Sequence, residues 1–416
     1  MKLYLVDGPQ KPFRPLSLTR PLCELAFGVE SFRERIERLA GRRVDGVFSG
    51  GRFEGLPFSR LGSSPLRVNP REATDEPTLL LESVYVPAGA TDPALARHTR
   101  GARFWLEGAL VGACLTSSAA RQAMEALAAR EDWRAAARDG EDVELPGSRP
   151  AALHELVAGN RQRIVADLEE SDGGRPAAAV PEGVEVEGPA ERLRVAPGAE
   201  IARRVHVDVR EGPVRIEAGA RVEPFTVLRG PLVVRAGARL LGSDVGAGST
   251  IGPGCRVRGE VAGSIFLGFS NKAHEGFVGD SYVGEWVNLG AGTTTSNLKN
   301  NYGLIRLRLT DEVVETGLLK LGSSIGDHVK TGIGTLLPTG AIVGPGTNLY
   351  GTRGVAPAHL PAFSWGTGSR QETHRLEAFL ESARVMMQRR GVELDSEEAG
   401  MLGAVFRATE SERISA

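Results

Sequence analysis

Between Val184 and Gly351 the chain returns to the same kind of residue every six positions, and this period narrows the possible folds more than any other feature. Ile216, Val222, Leu228, Val234 and Leu240 stand six apart; Val245, Ile251 and Val257 resume the spacing after a slip of one; Phe277, Val283 and Leu289 share a register with Ile325, Leu337, Val343 and Leu349. Segments such as GAGST, GPGCR and GPGTN lie between them, and glycine can take positive φ at tight corners. One inward aliphatic per hexapeptide is the pattern of a parallel β-helix, in which each coil has three short faces and stacks on the next to bury a continuous core. A β-sandwich would instead alternate every second residue, with turns about every 8 to 12 residues. The expectation is a β-helix over 184–368, with Phe277, Val283 and Leu289 among its inward residues.

The flanks have a different texture. Over 1–170 the apolar KLYLV, the helical ESFRERIERLA, the strand-like RVDGVFSG and TLLLESVYVP, and the helical AALHELVAGNRQRIVADLEE follow one another, which predicts an α/β layer domain. Residues 171–183, SDGGRPAAAVPEG, read as a linker. Residues 369–416 predict a helical tail: Leu376, Phe379, Leu380, Ala383 and Met387 form an apolar stripe, Gly391 can end one helix, and Asp395 or Ser396 can cap another. The stripe is read as core or subunit packing, with no catalytic role.

A formal charge of −2 over 416 residues offers a nucleic acid no electrostatic support. No apolar run approaches the roughly 18 residues of a bilayer helix, and the opening MKLYLVDGPQKPFR lacks the features of a signal peptide. Cys23, Cys114 and Cys255 are scattered and odd in number, which argues against a disulfide framework or a zinc knuckle. These features predict a cytoplasmic protein with neither a membrane nor a nucleic acid as partner.

The stretch NKAHEGFVGDSYVGEWVNLGAGTTTSNLKNNYG, from Asn271 to Gly303, carries far more hydrogen-bonding capacity than a packed core needs. It resembles the acetyltransferase half of the bifunctional enzymes that acetylate glucosamine 1-phosphate and couple the product to a uridine nucleotide. That family has His-x-x-Tyr-x-Gly-Asp, then Asn-Ile-Gly-Ala-Gly-Thr, then an Asn-Tyr pair; here the same places hold His274, Phe277, Gly279 and Asp280, then Asn288 to Thr293, then Asn297 and Leu298. The resemblance implies left-handed winding, a homotrimer with sites between subunits, and acetyl-CoA as co-substrate. It makes His274 the general base on an amino-sugar amine, a task suited to an imidazole pKa of about 6.5. Asn288 would position the sugar or acyl group, and the backbone from Ala291 to Asn297 would receive CoA and the developing oxyanion. IGPGCRVRG resembles the segment carrying the family's sugar-phosphate arginine, which falls on Arg258. Phe277 and Leu298 replace tyrosines, and the family's substrate lysine has no match near Ala262, leaving Lys272 or Lys299 as substitutes.

VDGPQKPFRPLSLTRP, Val6 to Pro21, is similar to the opening of sugar-nucleotide pyrophosphorylases, where a glycine-rich loop cradles nucleotide phosphates and magnesium assists transfer. The resemblance implies nucleotide-binding roles for Gly8, Arg14, Thr19 and Arg20, with Glu24 a further candidate. The other loop glycines are missing, Leu22 stands where a lysine is expected, and no magnesium carboxylates stand out. With LTRPLCELAFGVESFRERIE, the two signals resemble a branch of sugar nucleotidyltransferases carrying a hexapeptide-repeat acyltransferase domain.

Taken without the resemblance, Asn288 and Asn297 can equally cap corners. Arg258 is then an exposed arginine, Glu275 and Asp280 are structural or solvated, and Arg20 and Glu24 pair on a helix surface. Three functional classes stay open: a sugar-phosphate transferase; a scaffold that keeps the fold without the chemistry; and a β-helical zinc hydratase using His206, His274 and His328. The first is favoured.

Overall fold

The computed structural model describes residues 1–50, 65–70, 74–89, 101–171, 180–309, 312–351, 354–366 and 371–414. Most of the expected linker lies outside the described residues. The chain opens on β1 (Lys2–Val6), whose KLYLV is buried almost throughout. It is joined by β2 (Gly46–Phe48), β3 (Thr78–Glu82), β4 (Ala102–Leu106), β5 (Ala109–Leu115) and β6 (Glu141–Glu144) in one mixed sheet, ordered β2-β1-β3-β5-β4-β6. The first three strands are parallel, so their carboxyl ends, at Val6, Phe48 and Glu82, lie side by side. Helix α1 (Phe32–Ala40) starts at a capping box, Ser31 accepting from the Glu34 amide while Glu34 accepts from Ser31 N–H. Helices α2 (Ser117–Ala128) and α3 (Leu153–Ser171) complete this part.

From Val184 the chain winds into a parallel β-solenoid of about ten turns. Its inward aliphatics form one core: Ile216, Val222, Leu228, Val234, Leu240, Val245, Ile251, Val257, Val283, Leu289, Ile325, Leu337, Val343 and Leu349 are all buried. One face carries in-register rungs at Glu200, Arg221, Arg239, Arg256, Asn271, Asn288, Lys330, Asn348 and Trp365. The residue after each points inward, giving Val222, Leu240, Val257, Lys272 and Leu289 on successive coils. Two expectations shift here. Phe277 faces outward beside Glu260, and Val278 takes the inward place beside Val261. The true six-residue register runs Phe266, Lys272, Val278, and a lysine in the aliphatic slot hides it.

Asn271 pairs with Asn288, but Asn288 pairs with Lys330, because an insertion leaves the coil after Thr295. The insertion forms a hairpin of Arg306–Arg308 and Val313–Glu315. Its Ile305, Leu307 and Leu309 pack with Phe13, Leu16, Leu22 and Leu25 of the first part and with Tyr282 of the solenoid. Asn160 of α3 accepts from Gly28 N–H and donates to Gly248 O and Thr250 Oγ1, fixing the turn before α1, the helix and the solenoid to one another.

The tail begins with a short strand, Gln371–Thr373, pairing back to the last coil. Helices α4 (Leu376–Gln388), α5 (Ser396–Ala408) and α6 (Glu410–Ile414) follow. Phe379, Ala383 and Met387 are buried, so the apolar stripe is core of this chain. Asp395 caps α5 by accepting from Glu398 N–H at 2.7 Å, and Gly391 takes φ 72° after α4.

Candidate functional site

The solenoid corner between the rung at Asn271 and the outward Phe277 gathers several of the expected residues. Asn271 stacks between Arg256 and Asn288, so the corners following these three rungs, which hold Arg258, His274 and Ala291, also stack. The Gly292 N–H donates to Glu275 O at 2.9 Å across two of them. His274 is exposed at the crest of its corner. Arg258 Nε donates to Glu275 Oε1 at 2.8 Å and its Nη1 to Leu241 O at 3.2 Å, an exposed pair that a stronger anion can displace.

Lys272 is placed differently from the expectation. As an inward residue, only 2% exposed, it does not face a substrate. Its ammonium turns back to the corner and donates to Arg258 O at 2.8 Å and His274 O at 3.0 Å. Burial lowers its pKa from 10.5 to about 8, opposed by Glu275 and Glu260. Lys272 thus ties the backbone of the two candidate residues together from beneath. Lys299 donates to Leu304 O inside the insertion.

Asn288 lies on the rung before Ala291, half-buried. Asn297 belongs to another corner, where Nδ2 donates to Asp280 Oδ2 at 2.7 Å. Burial raises the Asp280 carboxyl, with the Asn297 bond and Lys320 opposing. The structure therefore brings Arg258, Lys272, His274, Asn288 and Ala291 together and sets Asn297 apart, at the far end of the Phe277 face.

In the amino-terminal part, a cleft of about 1000 Å³ opens at the carboxyl ends of β1, β2 and β3. Ligands commonly bind at this edge of a parallel sheet. Gly8 lines it, beside Asp7, Ser49, Asn69 and Glu82, with Arg134 and Arg149 opposite. The other expected nucleotide-binding residues lie elsewhere, because the loop after Gln10 coils into short turns and runs under the solenoid. Arg14 Nη1 donates to Glu412 Oε1 at 2.8 Å. Thr19 Oγ1 donates to Asp327 Oδ2 at 2.6 Å, and Arg20, 1% exposed, donates to Asp327 and Glu285. Burial opposes the Arg20 charge, but the two carboxylates outweigh it and raise the pKa. Glu24 accepts from Arg33, buried rather than on a surface.

Sequence reasoning missed Asp7, Glu82, Arg134 and Arg149. Asp7 Oδ2 accepts from Leu22 N–H at 3.1 Å and Gln10 Nε2 at 3.2 Å, while Oδ1 is buried without a hydrogen-bond partner. Burial raises its pKa against these bonds. Glu82 accepts from Arg134 at 2.6 Å and Arg149 at 2.8 Å. The signal available was position: each carboxylate ends or directly follows an apolar strand. With Glu82 held by two guanidinium groups and Asp7 by its own loop, the described cleft residues do not fit a magnesium site. Among the described residues no three His, Cys, Asp or Glu side chains group as metal ligands. Nor do the three solenoid histidines meet within one chain. His206 stands in an early coil between Glu185 and Glu187, His274 is several coils further on, and His328 is buried beside Trp286 and Phe379.

No protein-family profile matches the chain. It is 35% identical over 91 residues to a bifunctional sugar-1-phosphate nucleotidylyltransferase/acetyltransferase of Sulfurisphaera tokodaii, covering 22% of this chain and 23% of that protein. It is 33% identical over 181 residues to the bifunctional protein GlmU of Ralstonia pickettii, covering 38% and 39%. Its curated relatives are transferases. An uncharacterized acetyltransferase, YaiX, of Escherichia coli is 29% identical over 179 residues, covering 42% of this chain and 76% of its own. The chain thus spans about a quarter and about two-fifths of the first two relatives. A solved Arabidopsis UDP-N-acetylglucosamine acyltransferase aligns at 9% identity over 56% of this chain and 94% of its own, with a TM-score of 0.22. The architecture rests on the coil pairing above.

Proposed function

We propose that the chain transfers an acyl group from CoA to the amine of an amino-sugar phosphate at the His274 corner. The observation that carries this reading is that Arg258, His274 and Ala291 lie on corners of three successive coils, with Lys272 bonded beneath to the first two backbones. In this reading His274 accepts a proton from the amine as nitrogen attacks the thioester carbonyl. The tetrahedral intermediate collapses, the CoA thiolate leaves, and the imidazolium returns the proton to sulfur. Holding acceptor and donor against a rigid corner supplies orientation. Exposed Ile333 and Leu336, the former 87% accessible one corner beyond Ala291, support an assembly of copies around this site, and the homotrimer is the form that the family resemblance implies. Sedimentation would test it. Among the described residues no helix is long and apolar enough to cross a membrane, in keeping with a cytoplasmic enzyme.

For the amino-terminal cleft we propose binding of a nucleotide or sugar nucleotide. Its place at the carboxyl ends of the parallel strands, with Gly8 on its wall, supports this reading, and its described carboxylates do not favour magnesium-assisted transfer. One experiment addresses both readings: mass-spectrometric product detection with glucosamine 1-phosphate, acetyl-CoA, UTP and magnesium, using wild type and His274→Ala. Acetylated sugar phosphate from wild type and none from the variant is expected. Product from both would remove His274 as base, product from neither would sink this substrate pair, and a UDP-sugar would overturn the binding-only reading of the cleft.

A further inference from the structure

The solenoid face beside the His274 corner carries three arginines in direct register: Arg221, Arg239 and Arg256. Neighbouring strands lie ~4.8 Å apart, and like charges placed opposite each other repel. Arg221 is relieved by Glu200, at 3.2 Å. Arg239 and Arg256 have no carboxylate partner among the described residues, and Arg256 Nε is buried without a hydrogen-bond acceptor.

The tail adds charge to this face instead of neutralising it. Just past α4, Arg390 reaches across the coil, donating from Nη2 to Asn271 Oδ1 at 2.7 Å and from Nη1 to Gly254 O at 3.2 Å. Burial, then repulsion from Arg256, Arg239 and Arg389, lowers its pKa. The negative end of a helix dipole accommodates a cation there. It does not account for two further arginines arriving from separate coils. Guanidinium groups brought to one face from three segments leave positive charge there that a phosphate, whose oxygens accept forked donors, would offset.

We infer that Arg239, Arg256 and Arg390 form a binding site for the phosphate or pyrophosphate group of a ligand lying along this face. The site is one rung and one corner from His274: Asn271, which holds Arg390, is three residues before it on the same coil. Which molecule brings the phosphate, the acceptor sugar phosphate or the CoA donor, rests on the acyl-transfer reading; the anion site itself does not.

The test is calorimetric titration of the full chain with inorganic pyrophosphate, for wild type, Arg239→Gln, Arg256→Gln and Arg221→Gln. Expected is saturable binding that salt weakens, that falls roughly tenfold or more in the Arg239 and Arg256 variants, and that stays unchanged in Arg221→Gln. Arg239 is exposed, so its variant carries the test should Arg256→Gln fail to fold. No saturable binding, or binding indifferent to Arg239→Gln, overturns the inference. Titrations with glucosamine 1-phosphate and with CoA then separate the sources, since the variants weaken only the ligand whose phosphate sits here. Pyrophosphate binding that responds to the variants, in a protein showing no acyl transfer, would keep the anion site and discard the transfer reading. Transfer with unresponsive pyrophosphate binding would do the reverse.

Discussion

The loop after β1 and the corner at His274 both carry basic side chains in a sequence that resembles a transferase motif, yet they use them in opposite ways. In the loop, Thr19 and Arg20 are almost fully buried and end on Asp327 of the solenoid. At the corner, His274 and Arg258 face solvent, and the charge that is buried, Lys272, is bonded to the backbone carrying them. Motif chemistry is available to a ligand only where the fold leaves it outside. Where the fold encloses it, the same residue types hold two parts of the molecule together.

The largest effect that would sharpen this contrast is on catalysis. His274→Ala should reduce acyl transfer by roughly 10²- to 10⁴-fold, the usual worth of a general base, while its thermal midpoint stays at the wild-type value. A parallel fall in the midpoint would make the corner structural, like the loop.

Arg20→Ala should do the opposite. It leaves Asp327, 5% exposed, without its main counter-charge, and breaking one partner of a buried pair costs about 3–5 kcal/mol. Denaturant unfolding would show the loss. A ligand-binding defect at the amino-terminal cleft with full stability would instead return Arg20 to the nucleotide site.

Lys272→Met tests the link between the two kinds of residue. The folded-state pKa of Lys272 is about 8 against 10.5 unfolded, so between these values the unfolded chain binds more protons and wild-type stability gains with rising pH. Below pH 8 this term is flat. The Met variant should lack that gain. It should also lose roughly ten- to a hundredfold in kcat/KM at neutral pH, because the corner carrying His274 is no longer tied down. An unchanged pH profile of stability would mean that Lys272 is already charged and solvated in the folded state.

How far such roles were legible depends on the range over which their cause acts. The solenoid was readable because each inward aliphatic is set by neighbours six residues away, and the core follows that period. The local register at Phe277 was misread because Lys272 sits where an aliphatic was expected. That lysine is tolerable only because two carbonyls of adjacent corners receive its ammonium. Arg20 was unreadable, since its partner Asp327 comes from the other part of the fold. Arg239 and Arg256 did leave a trace: each directly precedes an inward aliphatic, Leu240 and Val257, and so had to share an outward rung. Arg390 left none, because only the packing of α4 brings it over that rung.

Arg258→Gln is expected to have the smallest effect, and it decides between two places for the substrate phosphate. The pair with Glu275 has side chains 49% and 71% exposed, so its removal should change stability by at most about 1 kcal/mol. If Arg258 is the phosphate ligand that the motif implies, the variant raises KM for the sugar phosphate while leaving pyrophosphate binding at the arginine rungs intact. If the phosphate rests on Arg239, Arg256 and Arg390, Arg258→Gln leaves KM near the wild-type value and Arg239→Gln raises it. Steady-state kinetics of the two variants, with sugar phosphate varied at saturating acetyl-CoA, distinguish these outcomes, because the corner and the rung each lose one guanidinium without disturbing the other.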